Sequence, residues 1–281
     1  MPAVATPLAQ PAVMITNGFP AVMTTRAPSS SAPTVIPLVV DGLEKRYPGA
    51  ARAVFSAVSF QVGPGEQVAI IGANGAGKST LLRCCLRLLE PDAGRVLLNG
   101  HDLTGSHGRH LRRARAGVGM VFQKHHLVPR LSVLSNVLHG ALARRPGPRT
   151  WFQCLARAED RAYAMHCLEL VGLADLAGQR AERLSGGQSQ RVAIARALMQ
   201  RPRALFADEP AASLDPIAGE EVMALFADLA VREGLTLVFV SHHLDHALTY
   251  AKRIIGLRDG GIALDSCPTR ESTTSLRAMF S

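Results

Sequence analysis

Gly72-Ala73-Asn74-Gly75-Ala76-Gly77-Lys78-Ser79 decides how the rest of this chain is read. The stretch fits G-x-x-x-x-G-K-[ST]. It follows an apolar segment, Gln67–Ile71, and opens a helical pattern over Ser79–Leu89, which is the context the motif requires. Its glycines let backbone N–H groups curl round an anion without Cβ clashes. The following helix N-terminus adds partial positive charge. Lys78 is expected to reach the β- and γ-phosphates of a nucleotide and Ser79 to ligate Mg²⁺. Thr80, in the same first turn, is counted among the nucleotide contacts.

Downstream, Ala204-Leu205-Phe206-Ala207 ends in Asp208-Glu209. A carboxylate at the tip of a buried strand suits Mg²⁺, directly or through water. Its neighbour Glu209 is placed to orient and deprotonate an attacking water. Between the two motifs, Leu184-Ser185-Gly186-Gly187-Gln188 runs into an apolar-periodic helix. Taken alone, a Ser-Gly-Gly turn at a helix start is a cap. Between a phosphate loop and an acidic strand end, it reads as a second anion site.

Apolar β-rich segments alternate with helical patterns through the body of the chain. Strands are expected at Gln67–Ile71, Val118–Phe122, Ala204–Ala207, Thr236–Val240 and Ile254–Leu257. Helices are expected at Ser79–Leu89, Ala158–Val171, Gly187–Met199 and Ile217–Arg232. Continuous apolar strands separated by helices predict an α/β fold on a largely parallel sheet. Residues 124–199 read mostly as helix, broken at Pro146-Gly147-Pro148, and are expected to form an insertion between two core strands.

Residues 1–37 differ in kind. They hold seven prolines and a single charge, Arg26, so a flexible tail is expected, ahead of an ordered body at 38–281. A secretory signal is not expected, because prolines interrupt the apolar residues and no Lys or Arg precedes them. No run of about 18 apolar residues is present, so a membrane role calls for a separate spanning subunit. The five cysteines include no C-x-x-C pair, which excludes the familiar zinc and dithiol spacings.

With these motifs in place, the sequence resembles the ATP-binding cassette (ABC) ATPases over residues 38–281, and Leu184–Gln188 is the most specific element of the likeness. The resemblance implies a P-loop NTPase core with a mostly parallel sheet, an antiparallel β subdomain, and a helical subdomain between Gln123 and the signature motif. It implies ATP and Mg²⁺ as ligands, with Gly72, Ala73, Asn74, Gly75, Ala76, Gly77, Lys78, Ser79 and Thr80 on the phosphates. Tyr47 matches the aromatic that stacks on adenine, with a surface aromatic as the plainer alternative. Gln123 matches the glutamine that joins the core to the helical insertion and reaches the metal. Asp215, in Ser213-Leu214-Asp215, matches the loop that crosses the dimer interface. His242 matches the histidine that contacts the γ-phosphate. The resemblance assigns Glu209, His242, Gln123 and Lys78 to catalysis and Ser79, Gln123 and Asp208 to the metal. His243 and His246 read as solvated. Ser185, Gly186, Gly187 and Gln188 would then face the Lys78 loop of a second copy across ATP, in a head-to-tail homodimer.

A closer likeness, to the ATP-binding subunit of phosphonate importers, rests on Gly119–Gln123, Leu127–Leu134, Asn136–Gly140, Val171–Asp175, Ala207–Pro210 and Ala212–Pro216. Ser189 and His125-His126 depart from that pattern. This likeness implies separate permease subunits, a solute-binding protein acting through them, and a peripheral position on the cytoplasmic face of the bacterial inner membrane. An importer for phosphate, phosphite, an amino acid or a metal complex would use the same engine. The surplus of 31 Lys+Arg over 22 Asp+Glu, with arginines at 109, 112, 113 and 115, leaves open a soluble ATPase acting on nucleic acid. A solvated helix face is the plainer reading of those arginines. A nucleotide-binding regulator without turnover is disfavoured by Glu209.

Overall fold

The computed structural model describes residues 37–144, 147 and 153–268. The tail expected at 1–37, all but its last residue, and the break at Pro146–Pro148, all but Gly147, lie outside them. The core is a six-stranded sheet in the order β10-β9-β3-β8-β7-β6. Its strands are β3 (Gln67–Ile71), β6 (Val118–Val121), β7 (Ala204–Asp208), β8 (Thr236–Val240), β9 (Arg253–Arg258) and β10 (Gly261–Ser266). β3, β7 and β8 are buried at every position, which is why they read as unbroken apolar runs. The pairs β3–β8, β3–β9, β7–β8 and β6–β7 are parallel, and β10 closes one edge antiparallel to β9.

A second, four-stranded sheet has the order β2-β1-β4-β5. It comprises β1 (Leu38–Lys45), β2 (Phe55–Val62), β4 (Ala93–Leu98) and β5 (His101–Asp102), and every pair in it is antiparallel. On β2 the buried residues Phe55, Val58, Phe60 and Val62 fall mostly at alternate positions, as a one-sided sheet demands. Helix α1 (Lys78–Cys85) buries Leu81, Leu82, Cys84 and Cys85 in the cluster this sheet shares with the core. Burial pushes the Cys84 thiol up to about 12, so it serves as a core residue.

The segment between β6 and β7 carries α3 (Val133–Leu138), α4 (Ala158–Leu170) and α5 (Gly186–Leu198), with short 3₁₀ turns. These helices join the other apolar cluster through Val137, Cys167, Leu168 and Ile194, together with Phe226 of α6 (Pro216–Arg232). Among the described residues the remaining α-helices are α2 (Gly108–Arg115) and α7 (Leu244–Tyr250).

Differences from the sequence expectations have local causes. The first helix stops at Cys85 rather than Leu89, because Arg87 turns back at φ 52° and its guanidinium bonds the Leu103 and Ser106 carbonyls. On α2, Arg109, Arg112 and Arg113 are exposed as a solvated face requires, but Arg115 is not. Its guanidinium donates to the Leu86 carbonyl at 2.8 Å and to the Arg87 carbonyl, tying α2 to the end of α1. No described helix is long and apolar enough to cross a membrane.

Candidate active site

The loop between β3 and α1 needs its glycines for stated reasons. A Cβ on Gly72 would stand 2.5 Å from the Leu257 carbonyl, and one on Gly77 would stand 2.6 Å from Val54. Gly77 sits at φ 92° as the residue before α1, a left-handed conformation that L side chains rarely adopt. Lys78 is buried, and its Nζ donates to the carbonyls of Gly72 at 2.9 Å and Ala73 at 3.0 Å. Burial lowers its pKa, against the pull of Glu209 and then Asp208, which favour the charged form.

Tyr47, Asn74, Gly75, Gly77, Lys78, Ser79, Thr80 and Glu209 line one cavity of about 270 Å³ together with Val54. Tyr47 is half exposed there, and its hydroxyl lies 3.4 Å from Thr80 Oγ1. The antiparallel sheet and the parallel core therefore meet at this cavity, one through the loop after β1 and the other through the loop after β3.

Asp208 ends β7 and is almost fully buried. Arg83 of α1 donates to its Oδ2 at 2.9 Å, while its Oδ1 is buried without a hydrogen-bond partner. A buried carboxylate oxygen left unbonded is costly, and a divalent cation held at it would satisfy it. The residues present therefore fit a divalent ion. Glu209 follows at φ 49°, turned out of the strand, with its N–H donating to the Val240 carbonyl. Its Oε2 lies 3.5 Å from Nδ1 of His242, just beyond β8. Two carboxylates in sequence thus point to different tasks, one inward and one towards the cavity.

Ser185 and Gln188 form a capping box at the start of α5. Ser185 Oγ accepts from the Gln188 N–H at 3.2 Å, and Gln188 Oε1 accepts from the Ser185 N–H at 3.0 Å. Asp215 caps α6, accepting from the Ala218 N–H at 3.0 Å. The two caps are neighbours, since a Cβ on Gly186 would lie 3.2 Å from Leu214 and one on Gly187 would lie 3.4 Å from Ala218. Neither cap lines the Lys78 cavity of the same chain. Gln123 is exposed just beyond β6, whose last residue Val121 pairs with Ala207, and it also lies outside that cavity.

The sequence reading missed several participants. Arg83 gives no motif signal, since its partner lies 125 residues away. Arg196 of α5 donates to the His125 and His126 carbonyls at 2.6 and 2.8 Å, joining the signature helix to the loop after Gln123. His246, read from the sequence as solvated, is instead largely buried at 14% side-chain exposure, against Glu220 and the ring of His243.

The ABC transporter family model matches residues 55–212. The chain belongs to the ABC transporter ATP-binding family. Among relatives of this cassette, the phosphonates import ATP-binding protein PhnC 2 of Synechococcus sp. (strain JA-2-3B'a(2-13)) is 45% identical over 86% of this chain and 90% of its own. PhnC of Bradyrhizobium diazoefficiens is 47% identical over 86% and 89%. Among solved structures, the dimeric structure of MJ0796, a bacterial ABC transporter cassette, matches at TM-score 0.72 and 32% identity, over 83% of this chain and 99% of that one. A post-hydrolysis dimer of MJ0796 bound to ADP and Pi matches equally well. As an ABC ATPase the cassette binds nucleotide.

Proposed function

We propose that this cassette is the ATP-hydrolysing, energy-coupling subunit of a phosphonate importer. The observation that carries the substrate is the 43–47% identity, over most of the chain, to proteins named for phosphonate import. The engine itself is supported by the cavity. Tyr47 offers a face for adenine, and the Gly72–Thr80 loop offers backbone N–H groups and a helix N-terminus to the phosphates. Ser79 and Asp208 would hold Mg²⁺, which when bound neutralises charge on the phosphate oxygens. Glu209 orients a water, takes its proton as the oxygen attacks the γ-phosphorus, and the bond to the ADP oxygen breaks. Lys78 and His242 face the charge that develops. Gln123, on the loop that leads into the helical segment, would meet the metal from there.

The Ser185–Gln188 cap does not line the Lys78 cavity of its own chain, and this supports a head-to-tail homodimer in which each ATP is held between two copies. An open apolar groove of about 790 Å³, lined by Leu86, Met120, Phe122, Leu142, Arg196 and neighbours, lies beside the loop after Gln123. It suits contact with separate permease subunits; in this reading the cassette sits on the cytoplasmic face of the membrane and a solute-binding protein acts through the permease. Deleting the gene and growing the strain on a phosphonate as sole phosphorus source tests the substrate. Growth is expected to fail on phosphonate and proceed on inorganic phosphate. Normal growth on phosphonate in a strain with no second system overturns the reading.

A further inference from the structure

Beyond His242, the structure contains an aromatic column that none of the site motifs uses. The His242 and His243 ring centroids are 4.0 Å apart and tilted by 42°. His243 meets His246 at 5.1 Å, and His246 meets Tyr250 at 6.4 Å. The four rings run from Glu209, at the cavity, down α7 to Glu220 on α6. There Glu220 accepts from the Tyr250 hydroxyl and stands 3.4 Å from His246 Nε2. Adjacent Glu221 holds Arg191 of the signature helix at 2.5 Å. The foot of the column therefore rests on the helix that Asp215 caps, one residue from its tie to α5.

Spacing explains how one short helix builds this. His246 and Tyr250 are four residues apart on α7 and share a face, while His243 is the residue just before its start. The His242 imidazole keeps 31% of its side-chain surface exposed, and its ring contact with His243 joins the 3.5 Å approach to Glu209 in orienting it. Tilted ring contacts are among the arrangements aromatic pairs favour, and the 5.1 and 6.4 Å separations fall within their usual spacing of about 4.5–7 Å. Metal binding is not the column's evident use, since no group of three or more ligating side chains with metal geometry occurs among the described residues.

We propose that His243, His246 and Tyr250, seated on Glu220, are positioning residues that hold the His242 ring in its catalytic orientation and tie it to the helix beginning at Asp215. This rests on the assignment of His242 to the γ-phosphate. The pair His246→Leu and His246→Phe tests it, because both fill the site on a helix but only Phe restores a ring. His246→Leu is expected to lower kcat roughly five-fold, the scale of a lost ring–ring contact, with KM for ATP within about two-fold. His246→Phe is expected to recover most of that loss at equal thermal stability. In protein labelled with ¹⁵N-histidine, the His242 ring signals are expected to shift in the Leu variant and return towards wild type in the Phe variant. Unchanged kcat in His246→Leu, or equal losses in Leu and Phe with unmoved His242 signals, overturns the column. His242→Ala serves as the control. If it hydrolyses ATP normally, the γ-phosphate assignment falls and the column with it; if it is inactive while His246→Leu is normal, only the column falls.

Discussion

Lys78 has two of its three donors on the carbonyls of its own loop, in a site where burial depresses its pKa from the usual 10.5. Polyphosphate arriving beside it favours the ammonium and drives the pKa back up. Between the depressed and restored values, the nucleotide-bound protein holds more protons than the free protein. At alkaline pH, where ATP is fully ionised, binding is therefore expected to take up protons, and affinity to fall as pH rises. Calorimetry in two buffers of different ionisation enthalpy reads the uptake, which should vanish in Lys78→Ala. That variant is also expected to lose turnover by at least about a hundred-fold, since the charge faces the transferred phosphoryl group. Steady-state hydrolysis that survives the substitution would remove Lys78 from the site. Lys78, Asp208 and Glu209 were legible because a glycine spacing and an apolar strand tip announce them. Arg83, which holds Asp208 Oδ2, was not, because an arginine on a helix carries no sign of a carboxylate 125 residues away.

Helix contacts within the β6–β7 segment depend on two features that sequence reading weighs wrongly. In exposed helical positions Gly→Ala stabilises by up to about 1 kcal/mol. At Gly140, in the 3₁₀ turn His139–Ala143, a Cβ would collide with the Arg196 carbonyl and stand 2.8 Å from Met199 Cβ. The obstacle is backbone of α5, which cannot rotate away, so overpacking wins, and Gly140→Ala is expected to destabilise by about 1–3 kcal/mol in urea unfolding. A gain in stability would show that the turn and α5 are farther apart. Arg196, from that same stretch of α5, bridges to the carbonyls of His125 and His126, the pair that departs from the phosphonate-importer pattern. Arg196→Ala is expected to cost about 1–3 kcal/mol and to raise amide exchange through residues 124–128. Exchange unchanged there would mean that the tether is not what orders the loop. Sequence pattern located α4, α5 and α6 to within a residue or so, since each runs 13 residues or more. Strands β1, β2 and β4 were expected only through family resemblance, because one-sided strands with bulges give weaker runs than β3 or β7.

Each chain carries one Lys78 loop and one Ser185 cap, and the cap does not line the Lys78 cavity of its own molecule, so the number of complete sites depends on how copies pair. Head-to-tail pairing makes a strict demand. A site needs Lys78 from one copy and Ser185 from the other, and an isologous two-fold dimer makes both sites at once. Lys78→Ala alone and Ser185→Arg alone should each be inactive, since every dimer of either variant has both sites broken. In a one-to-one mixture about half the dimers are mixed, and each joins the intact Lys78 of one chain to the intact Ser185 of the other. One of its two sites is then whole and the other carries both defects. Hydrolysis should therefore reappear on mixing, at up to about a quarter of the wild-type rate if sites act independently. The +9 charge on each chain opposes pairing, so recovery should be sought with ATP present, where the phosphates sit between the surfaces and supply the attraction. Under the alternative, in which both motifs serve one ATP within a single chain, mixing two dead variants restores nothing at any concentration, and the assay separates the two architectures by a signal against zero.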